Sequence, residues 1–161
     1  AIRSAGLLGV RLEEEPVRVY PRGALAAHVL GRVNAQGRGN LGIELGLDED
    51  LAGRAASSPA YNAAYGGVGT KLLVDGHPDH SVSRGHTAVM TIDSAIQQMA
   101  EEEIDTLVRE WHPVGASIIV LEPKTGKLLA LVNRPTFDPN HPVASASQTV
   151  NLAVQHAYEP G

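Results

Sequence analysis

The clearest hydrophobic pattern in the chain lies between residues 94 and 111. Apolar residues recur there at steps of three and four, which places them on one face of a helix. This face is formed by Ile96, Met99, Ala100, Ile104, Leu107, Val108 and Trp111. Asp93 suits the N-cap position, Ser94 with Gln97 offers an alternative capping box, and Pro113 ends the pattern. We therefore predict one amphipathic helix with a buried apolar face.

Two apolar runs follow the predicted helix. Residues 116–121 are almost continuously apolar, which is typical of a central strand covered on both faces. Residues 123–126 (Pro-Lys-Thr-Gly) favour a tight turn, so residues 127–132 should return as the paired strand. The pattern therefore predicts a helix, a strand, a turn and a strand in series.

The first 88 residues carry shorter patterns. Alternation of apolar and charged residues predicts short strands at 10–12 and 17–20. Residues 24–30 favour a helix that Gly31 ends, and the glycines between 32 and 47 predict a loop. The remaining predicted elements are an acidic helical turn at 47–51, a surface loop at 55–69, a hairpin around Asp75-Gly76 that joins 71–74 to Val82, and a strand-like run at 87–92.

Composition narrows the function classes. The 161 residues are 43% hydrophobic and 19% charged, which is typical of a soluble globular chain rather than a disordered one. The formal net charge of −5 offers no basic surface for nucleic acid. The absence of cysteine excludes disulfides, thiol catalysis and thiolate metal sites. No apolar run approaches the roughly 20 residues of a membrane span.

Several short motifs suggest catalysis, but the required partners are missing. Lys124-Thr125-Gly126 is spelled like the basic box of serine β-lactamases and transpeptidases, yet it lies in the predicted hairpin turn. That chemistry needs Ser-x-x-Lys, and no serine in the chain has lysine at its third following position. The Gly66–Lys71 segment lacks the spacing of a phosphate-binding loop.

Charged and metal-binding residue types are better explained structurally. His77, His80 and His86 could form a metal cluster, but their spacing crosses a turn, so a solvated loop is the better interpretation. The run Glu101–Glu103 is interpreted as a solvated face near a helix N-terminus. Arg18 and Glu44 could form an ion pair if the fold brings them together.

Several segments, in order and spacing, resemble one family. In the first half they are Arg18 to Gly23, Leu25 to Gly31, and Gly39 to Glu44. In the second half they are Thr91-Ile92-Asp93 with Gln97, Pro123 to Gly126, Pro135 to Asn140, and Asn151 followed by Tyr158 to Gly161. The chain resembles the class B penicillin-binding proteins, the monofunctional transpeptidases of bacterial cell-wall synthesis. The motif residues are Arg18, Tyr20, Pro21, Gly23, Gly42, Glu44, Asp93, Gly126, Pro139, Asn140, Pro160 and Gly161.

The resemblance implies an α+β fold in two parts. Residues 1–88 should belong to a small β-rich pedestal, or dimerisation, domain that is incomplete at its N-terminus. Residues 89–161 should be the helix and β-hairpin that open the transpeptidase domain. In this family Tyr-Glu-Pro-Gly is normally followed by Ser-x-x-Lys, so the nucleophile is expected immediately after Gly161. Strand 116–121 should then lack a neighbour on at least one side.

The resemblance also implies activity, partners and location. The intact protein would cross-link peptidoglycan stem peptides through a serine acyl-enzyme and would be acylated by β-lactams, while this segment alone would be inert. No cofactor and no metal is implied. Other cell-wall or division proteins would bind the pedestal, and an upstream span would anchor the protein at the periplasmic face of the inner membrane. Glu-Pro-Gly at 159–161 favours the division-specific type.

Two alternative functions remain open at this point. The first is a non-catalytic interaction or sensor module on a penicillin-binding scaffold, motivated by the absence of a convergent catalytic set within the chain. The second, a metal-binding loop domain built on His77, His80 and His86, is less favoured, because a solvated loop is the better interpretation of that segment.

Overall fold

The computed structural model describes residues 17–52, 73–74, 77–78 and 85–157. In chain order the elements are α1 (Ala27–Leu30), β1 (Arg32–Val33), β2 (Gly39–Leu41), α2 (Gly42–Gly46), α3 (Asp48–Ala52), β3 (Leu73–Val74), β4 (His77–Pro78), α4 (Ser94–Trp111), β5 (Ala116–Leu121), β6 (Leu128–Arg134), a 3-10 turn (Ala146–Thr149) and α5 (Leu152–Gln155). The strands form three antiparallel pairs, β1 with β2, β3 with β4, and β5 with β6. Helices and small antiparallel sheets confirm the predicted α+β class.

Helix α4 begins where the sequence predicts. The Asp93 carboxylate accepts hydrogen bonds from the backbone N–H groups of Ala95 and Ile96, which makes Asp93, rather than Ser94, the N-cap. The helix ends at Trp111, and His112 follows in the left-handed conformation with φ of 48°. The predicted helix is therefore confirmed at both ends. Within the described ranges no helix is long and apolar enough to cross a bilayer.

The hydrophobic core lies between α4 and the β5–β6 hairpin. Ala100 and Ile104 of α4 pack with Ala130 and Val132 of β6, and Ile104 and Ala130 have no exposed surface. The partly buried side chains that surround this cluster are Ile96, Ala116, Ile118 and Val120. The hairpin register pairs Ile118 with Val132 and Val120 with Ala130, so alternate residues of β5 face the helix.

Two details of the predicted core are wrong. Met99, Leu107 and Trp111 are 57%, 42% and 76% exposed, because the buried stripe of α4 runs through Gln97, Ala100 and Ile104 instead. Strand β5 is covered on one face only, since its alternate residues Ile119 and Leu121 are 48% and 55% exposed. Among the residues that the structure describes, β5 has one strand neighbour, β6.

The strand expected at 87–92 is absent from the structure. Residues 85–90 and 92–93 have no regular conformation. The Thr91 hydroxyl nevertheless donates to the Leu128 carbonyl (2.6 Å), and the Asp93 N–H donates to the Leu129 carbonyl (2.9 Å). The run thus follows the outer edge of β6 through separate contacts, because the capping of α4 by Asp93 turns the chain before a ladder forms.

The segment 17–52 departs from several predictions. Residues 17–20 form no strand, and residues 21–26 form turns, so the predicted 24–30 helix is reduced to α1. The predicted loop at 32–47 contains β1, β2 and α2. Gly31 and Gly42 explain this compactness: a Cβ would lie 1.7 Å from the Leu41 oxygen at Gly31 and 2.6 Å from the Val29 oxygen at Gly42. The acidic turn at 47–51 is confirmed as α3.

β3 pairs antiparallel with β4, as expected of a hairpin in this region, whereas the predicted turn residues 75–76 and the predicted partner Val82 fall outside the described residues. The predictions for residues 10–12, 55–69 and 158–161 fall outside the described ranges.

Truncation of Ile104 to alanine should be strongly destabilising, because its side chain is fully buried between α4 and β6. We expect the free energy of unfolding to fall by about 2–5 kcal/mol. Met99, on the same helix and 57% exposed, provides the control, and Met99→Ala should cost less than about 1 kcal/mol. Urea unfolding of both variants measures the difference, and equal losses would contradict the assigned core.

Candidate functional site

The Asn140 side chain, in the loop after β6, binds the backbone near the start of the described chain. The Tyr20 N–H donates to Asn140 Oδ1 and Asn140 Nδ2 donates to the Tyr20 carbonyl, both at 2.9 Å. The amide thus pairs with the backbone of Tyr20 as a neighbouring strand would. This contact satisfies the Tyr20 backbone without a strand partner, and it fixes residues 17–52 (the first segment) against the loop after β6.

The Glu44 carboxylate binds two side chains of the first segment, those of Arg18 and Tyr20. Arg18 Nη2 donates to Glu44 Oε2 and Arg18 Nε lies 3.0 Å from Oε1, which gives a two-pronged ion pair. The Tyr20 hydroxyl donates to Glu44 Oε1 (3.3 Å) and accepts from the Val33 N–H (3.1 Å). Burial, and next the charge of Glu44, raise the pKa of Tyr20, so the phenol stays protonated as a donor. The structure therefore brings Arg18 and Glu44 together.

Glu101 links the first segment to α4. Its Oε1 accepts from the Ala26 N–H (2.8 Å) and from Gln97 Nε2 (2.9 Å), while Oε2 lies 3.6 Å from Arg134 Nη2. The Glu101 side chain is 13% exposed. The interpretation of Glu101 as part of a solvated face is therefore wrong, because the carboxylate is partly buried between segments far apart in the sequence. Glu102 and Glu103 are exposed, as that interpretation expected.

The Gln97 side chain hydrogen-bonds the backbone of β6 on its outer edge, the edge that does not pair with β5. Its Nε2 donates to the Leu131 carbonyl (3.0 Å) and its Oε1 accepts from the Leu131 N–H (2.9 Å). Gln97 has no exposed surface, so these backbone groups are shielded from water. A single side chain therefore replaces one pair of strand hydrogen bonds.

Arg134 ends β6 with an ion pair to α4. Arg134 Nε donates to Asp105 Oδ1 at 2.6 Å, and the side chain of Arg134 is 12% exposed. The hydrogen bond from Arg134 lowers the pKa of Asp105 below its ordinary value of 3.8. Asp105 itself is half exposed, so the pair lies at the margin of the interface.

Asn133 holds the chain that leads into α5. Its Nδ2 donates to Asn151 Oδ1 (3.0 Å), and its Oδ1 accepts from the Ala153 N–H (3.1 Å) and the Ser117 hydroxyl (2.7 Å). Asn133 is 1% exposed. Asn151 also binds the end of α5, since its N–H donates to Gln155 Oε1 (2.7 Å). Residues 151–155 are thus fixed to the β5–β6 hairpin by one buried side chain.

The other motif residues and candidate metal ligands named from the sequence lie outside these contacts or outside the described residues. Pro139 is buried beside Asn140, Pro21 is exposed, and Gly23 lies near the Asp138 carboxylate with φ of 58°. Gly126 has φ of 72° in the turn between β5 and β6, where Lys124 is exposed. Pro160, Gly161 and the side chains of His77 and His80 are outside the described residues. His86 contacts Asp50 (3.6 Å), and no group of metal-binding side chains occurs in the described part of the chain.

The described residues contain no nucleophile paired with a base. Their arrangement can instead hold segments of the chain in fixed positions. Its polar side chains are saturated by backbone groups and by one another, and every buried side-chain nitrogen or oxygen described has a hydrogen-bond partner. Such a network fixes distances between segments. We therefore interpret the site as a junction that holds the segment at 151–155 in place.

Three key residues of this junction were not identified from the sequence: Asn133, Arg134 and His28. Asn133 and Arg134 end a strongly apolar strand, and a polar residue at such a position is a recognisable sign of a buried polar contact. No local pattern distinguishes His28, whose contacts are described below.

The family model "Penicillin binding protein transpeptidase domain" matches residues 116–161. The chain is 34% identical to Stage V sporulation protein D of Bacillus subtilis over 99% of its own length and 25% of the relative. It is 33% identical to the probable peptidoglycan D,D-transpeptidase PenA of Neisseria gonorrhoeae, over 99% of the chain and 27% of the relative. The chain thus spans about a quarter of the length of these relatives.

A solved structure agrees with these matches. The apo form of penicillin-binding protein 3 from Mycobacterium tuberculosis superimposes with a TM-score of 0.61 and 32% identity, over 78% of this chain and 24% of that one. The same protein has also been solved in complexes with aztreonam and ampicillin. Residues 116–161 are therefore similar to the transpeptidase domain of penicillin-binding proteins. The resemblance of the chain to the class B penicillin-binding proteins is confirmed.

Loss of the Gln97 amide should be costly, because it would leave the buried N–H and carbonyl of Leu131 without partners. We expect Gln97→Leu to lower the free energy of unfolding by about 2–4 kcal/mol. The neighbouring Gln98 is exposed and bonds Glu102 within the same helix, so Gln98→Leu should change stability by less than about 0.5 kcal/mol. Chemical denaturation compares them, and a mild Gln97 effect would contradict the edge contact.

The Asp105–Arg134 pair should make stability depend on pH in the acid range. The pKa of Asp105 is lower in the folded chain, so its contribution is complete above the unfolded-state pKa and is lost as pH falls through the folded value. We expect Asp105→Asn to flatten the loss of stability from about pH 4 downward.

The control for this prediction is Thr106→Ala, an exposed neighbour on α4 without a titratable group. It should keep the slope of the wild type. Thermal unfolding at a series of pH values between about 5 and 2 makes the comparison. An Asp105→Asn slope equal to that of the wild type would exclude the pair as its source.

Proposed function

We propose that this chain is part of a serine-type peptidoglycan D,D-transpeptidase whose nucleophile follows Gly161. The observation that carries the proposal is the match of residues 116–161 to the transpeptidase domain, together with the hold of Asn133 on residues 151–153. The segment held in this way is the last described element before the expected nucleophile. Precise placement of a reacting group is worth a large part of an enzymatic rate enhancement.

The proposed reaction is acyl transfer through a covalent intermediate. The serine hydroxyl attacks the penultimate D-alanine carbonyl of a stem peptide, and its proton passes to the lysine of Ser-x-x-Lys. An oxyanion hole stabilises the tetrahedral intermediate, and D-alanine leaves. The amine of a neighbouring stem peptide then attacks the acyl-enzyme and releases the serine. A β-lactam would acylate the same serine, which fits the aztreonam complex of the similar Mycobacterium tuberculosis protein.

The proposed role of this part of the protein is to support the reaction rather than to carry it out. Residues 1–88 would form the pedestal domain, and residues 89–161 the start of the transpeptidase domain. The contacts of Tyr20 with Asn140 and of Ala26 with Glu101 favour a firm junction between these parts. The pedestal would bind other cell-wall synthesis or division proteins at the periplasmic face of the inner membrane, anchored by a span upstream. The division-specific type is favoured by Glu-Pro-Gly at 159–161.

Fluorescent penicillin labelling of the full-length protein tests the function. We expect stoichiometric labelling and, after proteolysis, a penicilloyl group on the serine that follows Gly161. Substitution of that serine by alanine should abolish labelling while the protein remains folded. A full-length protein that stays unlabelled, or that is labelled elsewhere, would remove the enzymatic proposal and favour a non-catalytic interaction module on the same scaffold.

Asn133 should affect the rate of acylation through residues 151–153. Asn133→Ala removes the amide that holds Asn151 and the Ala153 N–H, so we expect at least about tenfold slower penicillin acylation of the full-length protein. Asn40, an exposed residue of β2, provides the matched control, and Asn40→Ala should acylate like the wild type. Equal rates for both variants would contradict a positioning role for Asn133.

A further inference from the structure

His28 of α1 is buried between the first segment and the loop after β6. It is 8% exposed, and its ring meets the ring of Phe137 edge to face, with centroids 5.4 Å apart. His28 Nε2 lies 2.9 Å from the Gln148 carbonyl oxygen. A carbonyl oxygen only accepts hydrogen bonds, so Nε2 must carry a proton and donate. Burial lowers the pKa of His28, which favours the neutral ring in this tautomer.

The Gln148 carbonyl that His28 binds lies in a short turn held by several hydrogen bonds. Gln148 belongs to the 3-10 turn Ala146–Thr149, which Ser145 closes through a capping box. The Gln148 side chain donates to the Thr136 carbonyl (3.1 Å) and accepts from the Ser145 N–H (3.1 Å). These bonds close the turn and also attach it to Thr136 in the loop after β6. Its link to α1 is the hydrogen bond from His28.

The chain is also held by hydrogen bonds on either side of the His28–Gln148 contact. The Ala26 N–H, two residues before His28, donates to Glu101 on α4 (2.8 Å). On the far side of the turn, Asn151 is held by Asn133 of β6 (3.0 Å). His28 therefore lies between one anchored point, at Ala26, and the segment that leads into α5. Movement of α1 would pull on the Gln148 carbonyl directly.

We propose that His28 is a positioning residue for acylation: its Nε2–H bond to the Gln148 carbonyl transmits the placement of α1 to residues 151–155 and so to the nucleophile. The inference rests on the proposed function, and it adds a specific route by which the first segment acts on the reactive serine. The contacts described for His28 are with Phe137 and the Gln148 carbonyl, neither of which reacts in the proposed mechanism. His28 acts through the turn 146–149, so its loss should lower the rate of the chemical step rather than the initial affinity for β-lactam.

Two amide substitutions in the full-length protein separate positioning from simple packing. The amide nitrogen of glutamine reaches about as far as Nε2, whereas that of asparagine reaches only as far as Nδ1. We expect His28→Asn to lower the acylation rate constant for a fluorescent penicillin about tenfold, with the noncovalent Kd within about twofold of the wild type. His28→Gln should recover to within about threefold of the wild-type rate.

Hydrogen exchange adds a readout that does not depend on catalysis. The backbone N–H groups of Val154 and Gln155 donate to the Asn151 carbonyl, and we expect them to exchange faster in His28→Asn than in His28→Gln. The inference is overturned if the two variants acylate and exchange alike, or if the loss appears only in Kd. A wild-type protein that is not acylated removes the proposed function as well as this inference, whereas an acylated wild type with equal variants removes this inference alone.

Discussion

Strand β6 presents backbone hydrogen-bonding groups along two edges, and β5 satisfies only one of them. On the other edge the Gln97 amide binds both the N–H and the carbonyl of Leu131, and the Asp93 N–H binds the Leu129 carbonyl. Each unpaired buried group would cost about 1–3 kcal/mol, so an open edge would remove a large part of a typical folding free energy. The residues that close it also begin α4. Satisfaction of the β6 edge therefore determines where the helix lies.

With α4 fixed on β6, two carboxylates, the partly buried Glu101 and the buried Glu44, link separate parts of the chain. Glu101 would be a costly partly buried charge by itself, but it accepts from Ala26 and Gln97 and faces Arg134. Glu44 is compensated in the same way by Arg18 within the first segment. The stability gained from such groups is small after desolvation, and their main effect is to allow only one arrangement of the segments. That is the property expected of a junction that holds a reactive segment.

The sequence predicts the parts of this structure whose signals are local. Helix α4 has a periodic apolar face and an N-cap at Asp93, and the β5–β6 hairpin has two apolar runs around a turn with Gly126. The contacts of the junction are long-range: Gln97 meets a residue 34 positions away, and Glu101 one 75 positions away. Periodicity and propensity report only neighbours along the chain, so the interpretation of Glu101 as solvated was wrong. The family resemblance selected Tyr20 and Asn140 without showing that they bind each other.

The pairing of Asn140 with Tyr20 and the pairing of Gln97 with Leu131 share one chemical feature. In each, a side-chain amide binds both the N–H and the carbonyl of one residue, as a neighbouring strand would, at a backbone edge that has no strand partner. An amide carries no net charge, so it can be buried without the desolvation penalty of an ion. It also cannot reverse its donor and acceptor without breaking both bonds. The junction therefore fixes the direction of the chain as well as its distance, which a hydrophobic contact alone could not do.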